Sequence, residues 1–135
     1  MVYAAVGVSC ANLGEPRVGG PLYSALISTE GSNGSSISPT ITHQELRADN
    51  QPWLNGVSQT ASGNYTLYVN PKTFPGIFSC SATVSENQTG LVPSSIEIGQ
   101  LNSNSIQVLT FQGNASGVLG KPGAKNFYIT CNGEQ

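Results

Sequence analysis

Ile106-Gln107-Val108-Leu109-Thr110-Phe111 and Phe127-Tyr128-Ile129-Thr130-Cys131 are the stretches whose reading decides the fold of this 135-residue chain. Both are rich in β-branched and aromatic residues and free of Gly and Pro, the composition of a strand. In the second, Phe127, Ile129 and Cys131 share one face of a period-two pattern. In the first, Ile106, Val108 and Thr110 share a face while Leu109 and Phe111 take the other. Further strands are expected at residues 2–8, 22–29, 65–69, 78–84 and 95–98, with a turn through Asn70-Pro71-Lys72 after the third of these.

Helix is nearly excluded, because 16 Gly and 8 Pro leave few stretches long enough for three turns. The best candidate is residues 42–49, between Pro39 and Pro52. Thr42 and Glu45 have capping-box spacing there, but only Leu46 and Ala48 offer an apolar face. A single helical turn is the most expected. Seven or more short strands divided by Asn, Gly, Ser and Pro predict an all-β chain, an antiparallel β-sandwich that is jelly-roll-like. One domain over residues 1–135 is expected, with residues 1–40 looser because residues 14–21 and 31–39 read as polar or Gly-rich loops. Strands that are apolar on both faces, such as residues 106–111 and 65–69, need cover on both sides. A second copy in a closed symmetric oligomer is the simplest cover.

Charge is the unusual quantity. Asp, Glu, Lys and Arg make up 9% of residues, against roughly 25% in typical globular domains. Ser, Thr and Asn fill the gap, a surface style of secreted, virion and fibre proteins. A net charge of −2 with five scattered cations gives no groove that could follow phosphates, so no nucleic-acid partner is expected. No apolar run reaches the 18 or so residues of a membrane span, so no membrane insertion is expected. The apolar start, residues 2–10, has no basic residue before it and reads as a strand instead of a signal peptide.

The cysteines, Cys10, Cys80 and Cys131, match no zinc or redox spacing. Cys80 shares a face with Phe78, Ala82 and Val84, as Cys131 does with Phe127 and Ile129. The two are either a disulfide between neighbouring strands or a pair of small buried hydrophobes.

Catalytic constellations are hard to write. The single His43 and the single Asp49 could join a serine in a hydrolytic triad, but no nucleophile elbow frames one. The carboxylates Glu45, Asp49, Glu86 and Glu97 show no pairing that would flank a glycosidic bond. No ligand spacing implies a metal, and no glycine loop implies a phosphate cofactor. The chain is therefore read as not an enzyme and as needing no cofactor.

Binding features remain. Trp53, in Pro52-Trp53-Leu54-Asn55-Gly56, either stacks on sugars from a loop or plugs one end of the sandwich, and burial of large aromatics favours the plug. Lys121 and Lys125, in Gly120-Lys121-Pro122-Gly123-Ala124-Lys125, could present cations, or serve solubility alone. For a sulfated polysaccharide the expected contacts are Lys72, Lys121, Lys125, Arg17 and Arg47, with binding that weakens steeply in salt. A salt-insensitive interaction would indicate neutral sugars on Trp53 or a tyrosine.

The second part, residues 53–133, resembles a terminal domain of bacterial collagen-like surface adhesins and phage tail fibres. The resemblance rests on Trp53-Leu54-Asn55-Gly56, Gly63-Asn64-Tyr65-Thr66-Leu67, Phe74-Pro75-Gly76-Ile77-Phe78-Ser79-Cys80, Leu101-Asn102-Ser103-Asn104-Ser105-Ile106-Gln107-Val108 and the closing Phe127-Tyr128-Ile129-Thr130-Cys131-Asn132-Gly133. Such domains are similar to the trimeric C1q and tumour-necrosis-factor jelly rolls. The resemblance implies a homotrimer on a bacterial surface or virion whose partner is a host glycan or receptor. The alternative expectation is a structural virion protein, a capsid-decoration or fibre subunit bound to other coat proteins.

Overall fold

A computed structural model of the chain describes residues 20–31, 35–85, 94–102, 104–113 and 119–133. Among the described residues nine strands form: β1 (Leu22–Glu30), β2 (Ser36–Gln44), β3 (Leu54–Ala61), β4 (Asn64–Val69), β5 (Phe78–Val84), β6 (Ser94–Leu101), β7 (Ser105–Gly113), β8 (Leu119–Pro122) and β9 (Phe127–Gly133). They form two antiparallel sheets. One runs β2-β1-β9-β5; the other runs β3-β4-β7-β6, with β8 also paired to β7. The fold is an all-β sandwich, with no helix among the described residues.

The strands form where alternation is cleanest. In β9 every second residue, from Phe127 to Gly133, is buried, and Tyr128 and Asn132 face out. This strand takes the centre of its sheet, between β1 and β5. β7 buries Ile106, Val108 and Thr110 in the same way. Together with Ala25, Ile27, Tyr65, Leu67 and Ile129, these side chains fill the space between the sheets, each fully buried large one contributing roughly 1.5–3 kcal/mol. Cys80 lies directly opposite Cys131 in the β5–β9 register, and the two are joined by a disulfide with Cα atoms 4.1 Å apart. That distance belongs to the closely spaced kind of antiparallel pair.

β4 and β8 share one edge of β7 end to end: β4 pairs with residues 105–109 and β8 with residues 111–113. The junction is made by Gly63, at φ +82°. Its carbonyl accepts from Thr110 N–H, whose own carbonyl accepts from Gly123 N–H. A Cβ at Gly63 would stand 2.7 Å from both Gly123 N and Thr110 O, so only glycine fits.

The expected strands at 22–29, 65–69, 78–84, 95–98, 106–111 and 127–131 are present with ends shifted by at most a few residues. The expected strand at residues 2–8 and Cys10 lie outside the described residues. Two expectations are corrected. Residues 36–39, read as loop, are the first half of β2. They pair with β1, and an edge strand tolerates Pro39 because one side of it needs no donor. Residues 42–49 hold no helical turn. β2 runs to Gln44, Leu46 bridges Pro52, and Asn50 N–H closes a turn on the Arg47 carbonyl with Asn50 at φ 64°. With only two apolar residues to bury, the segment gains more from strand pairing than from a helix.

The sandwich has two unlike ends. At one, the starts of β1, β3 and β5 converge on an aromatic cluster. Tyr23 stacks on Trp53 at 5.9 Å, Trp53 meets Phe74 edge-on at 6.3 Å, and Phe74 stacks on Phe78 at 4.4 Å. At the other, the chain crosses from β8 to β9 through buried residues 123–126. There the Asn126 carboxamide oxygen accepts from the N–H groups of Thr29 (2.8 Å) and Glu30 (3.0 Å). Lys125 Nζ lies 3.7 Å from Glu30 Oε2, with side chains 9% and 3% exposed.

Candidate functional site

The fold separates Lys125 from the other described residues expected to bind. Trp53 is fully buried and its indole N–H donates to the Ser24 carbonyl at 3.1 Å. It plugs the aromatic end, and its ring is closed to sugars. Lys125 is buried at the opposite end beside Glu30. Arg47 pairs with Asp49 at 2.9 Å. Lys72 is exposed in the turn that follows β4. Arg17 lies outside the described residues, as does the Lys121 side chain. Lys125 therefore stands apart from Lys72 and Arg47, whose loops adjoin through the Leu46–Pro52 bridge and the hydrogen bond from Asn70 Nδ2 to the Pro52 carbonyl. His43 stands exposed on β2, in register with Leu26, while Asp49 is engaged by Arg47 on the turn beyond. Among the described residues no three His, Cys, Asp or Glu side chains gather at metal-binding distance, and no helix is long and apolar enough to cross a membrane.

Two concavities are present, neither of them expected from the sequence. The first is a groove of about 550 Å³ on the side of the sandwich where β2 meets β3, lined by residues 36–39 and 57–59. The Gln44 carboxamide ties these two edges together, accepting from Leu54 N–H at 3.0 Å and donating to the Leu54 carbonyl at 3.2 Å. Gln59 Nε2 reaches Ser36 Oγ at 3.5 Å across the groove. Among the described residues its lining consists of hydroxyls, one carboxamide, a Pro ring, Ile37 and Val57, with no titratable side chain. Such a surface can hydrogen-bond a hydroxylated ligand and offers no general acid, base or nucleophile of perturbed acidity.

The second is an apolar groove of about 400 Å³ at the aromatic end, formed by residues 74–78, Leu101 and Asn102. Ile77 at its lip is 73% exposed, and Leu22, which begins β1 at the same end of the sandwich, is 61% exposed.

Outward-facing tyrosines complete the inventory. On the outer face of the β2-β1-β9-β5 sheet, Tyr128 stands between Thr83 and Leu26. On the other sheet's outer face, Tyr68 stands between Gly56 and Ser105, and its hydroxyl is 2.9 Å from Ser58 Oγ. Ser58 also lines the β2–β3 groove, so ring and groove are contiguous. Neither feature was singled out from the sequence. The signal available was the alternation Tyr65-Thr66-Leu67-Tyr68, which puts Tyr68 opposite the two buried residues. Comparison with known proteins finds no match among family models, curated sequences or solved structures.

Proposed function

We propose that this chain is a non-catalytic binding domain that recognises a glycan, or a receptor carrying one, at a host cell surface, as the distal domain of an adhesin or fibre assembled as a homotrimer. The observation that carries the reading is the β2–β3 groove, lined among the described residues by uncharged hydrogen-bonding and apolar groups and continuous with an exposed tyrosine whose hydroxyl is tied down. A concave surface with a few oriented polar groups and an aromatic edge suits a polyhydroxylated ligand. The Cys80–Cys131 disulfide is of a kind that persists in oxidising surroundings, which supports a bacterial surface or virion location. The pairing of Lys125 with Glu30 and of Arg47 with Asp49 favours neutral over sulfated glycans.

A glycan array probed with the full chain tests this directly, repeated between about 0.05 and 0.2 M salt, a range over which binding through several anionic contacts falls by orders of magnitude. Binding that survives the higher salt is expected. Absence of any bound glycan would overturn the proposal.

The exposed apolar end supports a second reading, a structural virion subunit whose Leu22, Ile77 and Leu101 pack on another coat protein. Mass in solution tests the assembly that both readings share. A trimer agrees with either, whereas a monomer removes the assembled form from both.

A further inference from the structure

We propose that Tyr68, together with the bulge at Asn55-Gly56, forms a stacking subsite for a single pyranose ring of a neutral glycan. The inference rests on the glycan-binding reading and names the place and the ligand class.

The geometry begins with a register irregularity. Leu54 pairs with Val69 and Gly56 with Tyr68, so Asn55 is an extra residue and both it and Gly56 face the single Tyr68. Bulges of this kind re-aim side chains and recur beside functional sites. The Tyr68 side chain, 44% exposed, does not close over the glycine. Its hydroxyl reaches Ser58 Oγ, and Ser58 is opposite Thr66 in the next outward row, so the ring leans away along the strand. The space beside it is open: a Cβ at Gly56 would meet no atom within 4 Å. The open space over Gly56 therefore lies beside Tyr68, next to the exposed Asn55 of the bulge, and this is the notch of the proposal.

The chemistry of the notch selects the occupant. The negative face of a tyrosine ring attracts the polarised C–H groups on the apolar side of a pyranose, and a ring already anchored loses little freedom on binding. Around Tyr68 the register sets Ser58, Thr66, Ser105 and Gln107 on the same face. All are uncharged and can hydrogen-bond sugar hydroxyls; none adds the apolar area that a protein hot spot would need. Tyr128 lacks this setting, since side chains of Thr83 and Leu26 stand on both of its flanks.

The test uses the full chain, wild type and three variants, titrated with neutral gluco-, galacto- and manno-oligosaccharides and, separately, with heparin. A Cβ at Gly56 meets no atom within 4 Å and Gly56 needs no positive φ, so Gly56→Val places branched bulk in the open space and its melting temperature should match wild type. Tyr68→Ala removes the platform, and Tyr68→Phe keeps the ring without its tether. The expected result is a neutral oligosaccharide bound by wild type, weakened roughly tenfold or more by Tyr68→Ala and by Gly56→Val, and weakened no more than about threefold by Tyr68→Phe. Unchanged affinity in both Tyr68→Ala and Gly56→Val would overturn the subsite while leaving glycan recognition standing, as would binding to heparin alone. Failure of wild type to bind any of these probes would overturn both.

Discussion

The two ends of the sandwich are closed by opposite means. The aromatic end is sealed chiefly by area: Tyr23, Trp53, Phe74 and Phe78 fill it, with ring centroids 4.4–6.3 Å apart, and the indole N–H donates to the Ser24 carbonyl. The crossover end is sealed by direction. A connection that runs through the interior must satisfy its own backbone, and here Thr29 Oγ1 donates to the Lys125 carbonyl at 2.8 Å. Asn126 serves Thr29 and Glu30, and its carbonyl accepts from Ser85 N–H at 2.7 Å. Among the described residues, Glu30 Oε1 is buried without a hydrogen-bond partner, so this end carries a desolvated charge held chiefly by Lys125. Area closure degrades gradually, and directed closure fails when one partner is lost.

Three comparisons sharpen or break that contrast. Trp53→Ala should have the largest effect, a loss of about 4 kcal/mol read as a lowered denaturant midpoint, and Trp53→Phe should recover more than half of it. Equal damage from both would mean that the single indole hydrogen bond, and not area, holds this end. Next, Lys125→Met should cost about 3 kcal/mol because it strands Glu30, whereas the double variant Glu30→Leu/Lys125→Met should return most of that loss. A double variant as unstable as the single one would remove the charge pair from the account. The smallest effect is expected from Asn126→Ala, about 2 kcal/mol for two buried N–H groups left without an acceptor. Amide hydrogen exchange should then accelerate at Thr29 and Glu30 ahead of the rest of β1.

The same contrast governs what could be read in advance. Trp53 as a plug was legible because a large aromatic between Pro52 and Leu54 in a strand-rich chain has few places to go other than the core. The buried Lys125 was not. A lysine in a Gly- and Pro-rich loop reads as solvated, and its partner Glu30 is remote in sequence, so its burial becomes visible only when β8 and β9 are placed across from β1. The missing strands have a related cause. β2 and β3 are the outer strands of their sheets on the side where the two meet, so they present few apolar residues and draw order from their neighbours' hydrogen bonds. The candidate site shares this origin, since it lies where those two weak strands meet and where one bulge turns Gly56 toward Tyr68.

Local alternation alone determined that this chain is built of strands, which faces of β4, β5, β7 and β9 are inward, and that Cys80 and Cys131 point where the apolar residues point. A period of two is a property of neighbouring residues and needs no knowledge of the rest of the molecule. Only the tertiary structure decided that β5 lies beside β9 so that the two sulfurs meet, that Lys125 goes inside, and that an open notch stands beside Tyr68. Each of those depends on which strands are neighbours, and strand pairing brings together residues whose separation along the chain carries no local trace.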